Sequence, residues 1–258
     1  MDRYDLSGEM VERNLGTRVI GRRVVYLLET GSTMDVAHRE AEAGAADGTV
    51  IIAEEQTAGR GRFDRRWVSQ AGQNLTLSVI IRPRMEALRQ MNMAACLSVV
   101  RAIRSATGLS PTVKWPNDVR LGGRKVCGIL IESRVEQNGA GYVVAGIGLN
   151  VNFDPRPHDE IASIATSLKL ESGRHIPRLP LCRTMLTEFD RLCDAKGDAV
   201  RDEWRGALET LGRHVRVRWG DVVDEGLAAD VDAEGNLLLQ RNDGTLTTLV
   251  AGEVTLQV

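Results

Sequence analysis

Apolar and polar positions follow two rhythms along this chain, one of short strand-length runs and one of helical spacing. Val24-Val25-Tyr26-Leu27-Leu28 is a β-branched and aromatic run of buried-strand type. Glu29 to Thr33 then turns into a helix predicted from about Met34 to Ala43, with Ser32 and Asp35 in capping-box spacing and Gly44 in the C-terminal glycine position. Thr49 to Glu54 and Asn74 to Ile81 read as strands, the second stopped by Pro83. Met93, Leu97, Val100 and Ile103 carry helical spacing inside a helix from Met91 to Thr107, closed by Gly108. Thr112 to Trp115 is a short strand halted by Pro116. Val119-Arg120-Leu121 and Lys125 to Ser133 flank a hairpin turn at Gly122-Gly123-Arg124, and a second turn at Asn138-Gly139 leads to a strand from Tyr142 to Ile147. From Asp159 to Leu208 the pattern is helical, with Leu181, Met185, Leu186 and Phe189 on one face. Residues 1 to 17 are polar, with room for one short helix.

The rhythm changes near Leu211. Val215 to Val217, Leu227 to Val231, Leu237 to Leu239 and Thr247 to Val250 are strands separated by turns at Gly220-Asp221, Glu234-Gly235-Asn236 and Asp243-Gly244. These patterns predict an α+β fold. Residues 1–209 form a mixed sheet with helices packed on it, and residues 210–258 form a small SH3-like β-barrel.

Composition narrows the function classes. Hydrophobic residues are 43%, charged residues 26% and the formal net charge is -2, so broad nucleic-acid binding is not expected. The stretch before residue 20 is too short for a helix-turn-helix module, and no nucleic-acid partner is expected. Cys96, Cys127, Cys182 and Cys193 have no C-x-x-C spacing, which points to neither zinc nor disulfides. No signal peptide opens the sequence and no run of 18 apolar residues crosses it, so a cytoplasmic protein with no membrane partner is expected.

The positive charge that matters is local. Gly59-Arg60-Gly61-Arg62-Phe63-Asp64-Arg65-Arg66-Trp67 packs four arginines and two glycines into nine residues. Glycines let a backbone come close to a ligand, and arginine forks match phosphate or carboxylate oxygens in pairs. Taken alone, such a loop is equally a solvated surface. Arg60, Arg62 and Lys125 are the cations that these segments offer to such oxygens. Strand alternation places Lys125, Cys127 and Ile129 on one face, with Cys127 in the core. His38, His158, His175 and His214 lie away from these segments in sequence, so a histidine-based nucleophile is not expected. Gly146-x-Gly148 has no following helix and does not make a dinucleotide loop.

The segments Gly31-Ser32-Thr33, Gly59 to Trp67, Lys114-Trp115-Pro116-Asn117-Asp118, Lys125-Val126-Cys127-Gly128-Ile129-Leu130-Ile131-Glu132 and Gly146 to Asn152 resemble, in this order, the motifs of bacterial biotin protein ligases. The resemblance runs from about Val24 to Val258 and looks like the monofunctional type, without an N-terminal DNA-binding domain. It implies a catalytic domain similar to class II synthetases and lipoate ligases. It also implies a two-step reaction: biotin and MgATP give biotinyl-5'-AMP, and a lysine of a biotin carboxyl carrier protein then takes the biotin. On the resemblance, Ser32, Thr33, Met34, Gln56, Gly59, Arg60, Gly61, Arg62, Lys125 and Gly128 contact biotin. Arg62, Arg65, Trp67, Lys114, Asn117, Lys125 and Asn150 contact ATP or the adenylate, Asp118 is a Mg2+ contact, and Lys125, Arg60 and Arg62 carry the chemistry.

Each residue also has a plainer reading. Ser32 and Thr33 cap a helix, Gln56 is a surface amide, Lys114 to Asp118 is a strand end, and Lys125 is a solvated lysine. Two places depart from the family. Met34 stands where asparagine is usual, so that a small hydrogen-bonding role is either lost or taken by Asp35, and Phe63-Asp64 stands where the loop often has a glycine and sets a carboxylate among the arginines. Alternatives in view are a lipoate ligase or lipoyl/octanoyl transferase and a biotin-responsive regulator. Oligomeric state stays open, a homodimer included.

Overall fold

Residues 5–82, 90–135, 141–250 and 252–256 are described in the computed structural model of this chain. The expected turn at Asn138-Gly139 and the strand stop at Pro83 lie outside the described residues, as does the Asp64 side chain. The strand-like runs assemble into one seven-stranded sheet in the order β1-β2-β3-β7-β6-β5-β4. Its strands are β1 (Val24–Thr30), β2 (Val50–Gln56), β3 (Asn74–Ile81), β4 (Thr112–Lys114), β5 (Asp118–Leu121), β6 (Arg124–Val135) and β7 (Gly141–Asn150). Only β1 and β2 pair in parallel, and the helix α2 (Thr33–Glu42) is the crossover that such a pair requires. The remaining neighbours are antiparallel, which makes the sheet mixed as expected.

Every residue of β3 is buried, because this central strand is covered on both faces. Leu75, Leu77 and Val79 of β3, with Ala145, Ile147 and Leu149 of β7, join the main core under α3 (Met91–Thr107) and α5 (Arg178–Cys193). On the other face, α2 covers Ile51, Ile80 and Val144 with Met34, Val36, Ala37 and Ala41. The rest of that face carries Thr76, Gly128, Gly146 and Gly148, and there a cavity opens instead of a core.

The stretch from Asp159 to Leu208 is less helical than its pattern suggests. Residues 159–164 are turns, and helix is limited to α4 (Leu168–Ser172), α5 and α6 (Gly197–Ala207). Gly173, at φ 71, stops α4, and Pro177 opens α5. The short helix near the start is α1 (Gly8–Glu12).

The C-terminal strands form a five-stranded antiparallel sheet, β11-β10-β9-β8-β12. They are β8 (His214–Trp219), β9 (Val222–Val231), β10 (Leu237–Gln240), β11 (Leu246–Leu249) and β12 (Glu253–Leu256). The sequence pattern as read misses β12, which pairs with β8. Val215, Val217, Ala228 and Leu239 share one continuous core with the main sheet. Trp115 also joins the two sheets, because its Nε1 donates to the Gly235 carbonyl at 2.9 Å and its backbone N to Thr210 Oγ1 at 2.9 Å.

Burial silences the thiols. Desolvation pushes Cys96, Cys182 and Cys193 up to about 12 and raises Cys127, which suits the core reading of that residue.

A buried ion cluster fastens the layers. Arg178 of α5 is 1% exposed and faces Glu54 of β2, 0% exposed, with Nη1–Oε2 at 2.8 Å. The same guanidinium donates to the Asn74 carbonyl at 3.1 Å and to Asp5 Oδ1 at 2.6 Å. Glu54 also accepts from Tyr26 Oη at 2.6 Å and from Gly72 N at 2.8 Å. Removing one partner leaves a buried, uncompensated charge. We therefore expect Arg178→Ala to lower the unfolding free energy by about 3–5 kcal/mol, read from urea midpoints, and Glu54→Leu added to it to recover part of the loss.

Candidate active site

The cavity on the open face of the sheet has a volume of about 360 Å³, and all the sequence motifs converge on it. Its floor exists because three strand positions carry no side chain. A Cβ on Gly148 would lie 2.7 Å from Trp67 Cζ2, one on Gly146 2.6 Å from Met34 Sδ, and one on Gly128 3.0 Å from Lys125 Nζ. Each glycine thus makes room for one named side chain.

At one end, α2 begins. Ser32 Oγ caps it by accepting from Met34 N at 3.3 Å. Thr33 donates from its backbone N and its hydroxyl to Gln56 Oε1, at 2.7 and 2.9 Å, and Ser78 Oγ donates to Thr33 Oγ1 at 2.8 Å. That fixes the Gln56 amide with its Nε2 against Gly59, where a Cβ would be 2.7 Å away. Met34 packs into the space above Gly146 and makes no amide-like contact; Asp35 does not replace it. The Asp35 carboxylate is taken instead by Arg60, with Nη2–Oδ1 at 2.7 Å and Nη1–Oδ2 at 2.9 Å. This bond to Arg60 holds Asp35 below the usual carboxylate range. The clamp is therefore complete at neutral pH and is lost only as pH falls through that lowered value.

The arginine loop is a tight hairpin. Arg60 and Arg66 bridge antiparallel, Gly61 N donates to Arg65 O at 2.7 Å, and Trp67 N donates to Gly59 O at 2.9 Å. Its tip is a single turn at Arg62–Asp64, where Phe63 takes the left-handed conformation with φ 57 and ψ 41. Arg62 reaches inward and donates to Asn117 Oδ1 at 3.2 Å and to the Gly252 carbonyl at 3.4 Å. Burial lowers the Arg62 pKa against the opposing pull of Asp118 and Glu253, yet a guanidinium keeps its charge at any working pH. Arg65 forms an ion pair with Glu253. Trp67 lies on Gly148, and its Nε1 is buried with no acceptor among the described residues.

Lys125 reaches the cavity, but not by simple alternation with Cys127. The β5–β6 register shifts between Val119 and Arg120, so that Arg120 faces Lys125 while Val119 faces Cys127. This bulge buries both Val126 and Cys127 and swings Lys125 over Gly128 into the cavity. Its Nζ lies 2.6 Å from Asp118 Oδ1 and 5.9 Å from the centre of the Trp67 ring. The Lys125 backbone is pinned on both sides, donating to Ile164 O at 2.8 Å and accepting from Thr166 N at 2.8 Å.

Lys114 is half-buried; desolvation lowers its pKa, with Asp118 opposing. Asn117 is buried, donates to the Ile129 carbonyl and accepts from Arg62. The Trp115–Pro116 peptide between them is cis. Asn150 also stands in the cavity wall, with its amide already engaged: Nδ2 donates to Thr166 O at 3.0 Å and Oδ1 accepts from Asn74 at 3.5 Å. Among the described residues, no group of three His, Cys, Asp or Glu side chains gathers as a metal cage.

Sequence reasoning missed Gly252 and Glu253, which come from the far end of the chain and carry no motif. It also placed every histidine away from the motifs. His38 in fact sits just past Asp35 on α2, with Nδ1 3.1 Å from Tyr142 Oη and Nε2 2.8 Å from Glu132 Oε2, and it shares a groove with Ser32 and Arg60. It lies outside the main cavity.

Comparison with known proteins agrees with this geometry. Residues 29–150 match the Biotin/lipoate A/B protein ligase family and residues 210–256 the Biotin protein ligase C terminal domain. The chain is 35% identical to the biotin--[acetyl-CoA-carboxylase] ligase of Mycobacterium tuberculosis, over 98% of each chain. It is 35% identical to the bifunctional ligase/repressor BirA of Bacillus subtilis, over 93% of this chain and 76% of that one. A biotin protein ligase from Aquifex aeolicus, solved in complex with biotin and ATP, superposes with a TM-score of 0.78 at 28% identity, over 92% of this chain and 99% of that one. Fold, motif order and whole-length identity agree: this chain belongs to the biotin protein ligase family.

Proposed function

We propose that the cavity binds biotin at its Ser32–Gln56 end and ATP toward Lys114 and Asn117, and joins them as biotinyl-5'-AMP before transfer to a lysine of a biotin carboxyl carrier protein. As a member of its family the chain is an ATP-dependent ligase. The observation that carries the residue assignment is the placement of Lys125 and Arg62 over one glycine-floored cavity that also holds the Thr33–Gln56 turn. In the first step a biotin carboxylate oxygen attacks the α-phosphorus and pyrophosphate leaves. Lys125 and Arg62 face the point where negative charge gathers on the carboxylate and α-phosphate. In the second step the lysine amine attacks the acyl carbon, the bond to the phosphate oxygen breaks, AMP leaves, and a proton passes to solvent.

The Gln56 side-chain amide, with Ser32, Thr33 and the loop at Arg60–Gly61, lines the end of the cavity that takes the polar ring of biotin. Arg60, held by Asp35, closes the loop over it. Lys114, Asn117 and Arg65 serve the nucleotide, Trp67 packs beside it, and Asn150 holds the wall in place through Thr166. Mg2+ is commonly held by ATP phosphates and water with one or two carboxylates; Asp118 would be its protein ligand here, where the ion would screen phosphate charge. The arginine loop acts as a lid that keeps water from the mixed anhydride, with Gly252 and Glu253 as its catch. In this reading, residues 1–209 are the catalytic part and residues 210–258 supply the catch.

Biotin-dependent ATP–pyrophosphate exchange tests the assignment directly, and lipoate in place of biotin should give none. Lys125→Ala should reduce that exchange by about 10²–10³-fold, the cost typical of losing one group that stabilises developing charge. An undiminished rate would remove Lys125 from the chemistry. Glu253→Gln frees Arg65 and is expected to raise the fraction of biotinyl-AMP lost to hydrolysis while leaving the KM for biotin unchanged. Trypsin cleavage between Arg60 and Arg66 should be slowed by biotin plus ATP in the unsubstituted chain, and less so in the Glu253 variant. Equal cleavage with and without ligands would argue against a closing lid.

A further inference from the structure

Two buried polar atoms in the cavity wall have nothing to bond. Thr76 of β3 is 3% exposed, and its Oγ1 has no hydrogen-bond partner among the described residues. The same holds for Trp67 Nε1 on the arginine loop. Both side chains line the cavity. A hydroxyl or an indole N–H left unpaired away from water costs free energy, which is why folded proteins keep few of them. An orphan of this kind in a cavity wall is satisfied when a ligand brings the missing partner.

Strand register brings the two atoms to the same place. Thr76 lies opposite Gly148 of β7, and Gly148 lies opposite Gly128 of β6. The Trp67 indole crosses this row. A Cβ on Gly128 would be 3.4 Å from its Cζ3, whereas one on Gly148 would be 2.8 Å from its Nε1. Those atoms are at opposite ends of an indole, so the N–H edge is turned away from Lys125, which stands over Gly128, and toward the β3 side of the floor where Thr76 projects. Ser78, which bonds Thr33 at the Gln56 end, is two residues from Thr76 on the same face of β3, about 7 Å along the strand. The two orphans therefore stand between the Thr33–Gln56 turn and Lys125.

An indole N–H can only donate and a threonine hydroxyl can also donate, so a group that satisfies both is an acceptor. In the biotinylation reading, the ureido ring of biotin lies at the Thr33–Gln56 end and the carboxylate at Lys125. Between those ends biotin carries one heteroatom, the thioether sulfur of its second ring, and a thioether sulfur accepts but does not donate. We propose that Thr76 Oγ1 and Trp67 Nε1 together recognise this sulfur, which makes Thr76 a specificity residue that separates biotin from analogues without it. Thr76 belongs to none of the sequence motifs; it sits inside the apolar run of β3. This inference rests on the biotinylation reading of the cavity, and its test separates the two.

The test uses the 258-residue chain in ATP–pyrophosphate exchange with three acids: biotin, oxybiotin, which has a ring oxygen in place of the sulfur, and desthiobiotin, which has neither. Thr76→Val removes the hydroxyl at nearly constant shape. Its KM for biotin should rise about three- to tenfold, the usual worth of one hydrogen bond between neutral groups, with kcat within about twofold, because the contact is made equally in ground and transition states. The rise for oxybiotin should be at least as large, and the KM for desthiobiotin should move by less than about twofold. Thr76→Ser keeps the hydroxyl and should restore the discrimination. A second measurement needs no change in β3 and so stands even if the valine variant does not fold. With the tryptophans labelled with 15N, the Trp67 Nε1–H resonance, identified by its loss in Trp67→Phe, should move further downfield with biotin than with desthiobiotin. Equal KM rises for biotin and desthiobiotin in Thr76→Val overturn the proposal, as does an unchanged KM for biotin. A Trp67 resonance that moves alike with both acids also overturns it. Absence of exchange with biotin in the unsubstituted chain would sink the biotinylation reading itself.

Discussion

A Cβ on Gly148 would press into the Trp67 indole, so the arginine loop can fold down on the sheet only where the strand is bare. The same holds for Met34 above Gly146 and Lys125 above Gly128. A central sheet normally buries both faces under side chains. Here one face keeps its apolar residues against α3 while the other gives up three of them. The site is a part of the core left unfilled, and the neighbouring elements lower polar and cationic groups into it. This explains why the motifs fall on strands and turns far apart in sequence. Each one either clears the floor or reaches over it.

The cations that reach over the floor are not left bare. Arg60 is held by Asp35, Lys125 by Asp118 and Arg65 by Glu253. All three pairs are partly exposed, so little stability depends on them. Their effect is positional: they keep flexible side chains in place. Two of the three partners sit in or beside the motifs, and the third belongs to the C-terminal sheet. That sheet shares a core with the main one, so the arginine loop is tied to both through Glu253.

Much of this was legible in the sequence. Strand β3 and helix α3 begin and end where their apolar runs and glycine stops place them, and the cavity gathers the motif residues named from the order of the segments. The losses have physical causes. A bulge at Val119–Arg120 cannot be read from alternation, which is why Lys125 was set on the face of Cys127. Residues 159–164 look helical in apolar spacing but are turns closed by local bonds such as Ile164 N to Ile161 O, with the Ile164 carbonyl and Thr166 N tied to the Lys125 backbone. Glu253 and Gly252 act through tertiary contact alone, and β12 is seen through its pairing with β8. His38 showed no motif, and its place beside Ser32 follows from one further turn of α2.

The ion cluster at Arg178 has a consequence for how the main domain closes. Glu54 leaves water in the middle of the first parallel pair, but the cation that balances it lies 124 residues further on. The burial of Glu54 in β2 is therefore complete only when α5 is in place, so the two ends of the main domain are bound to one another by a charge pair and not by apolar packing alone.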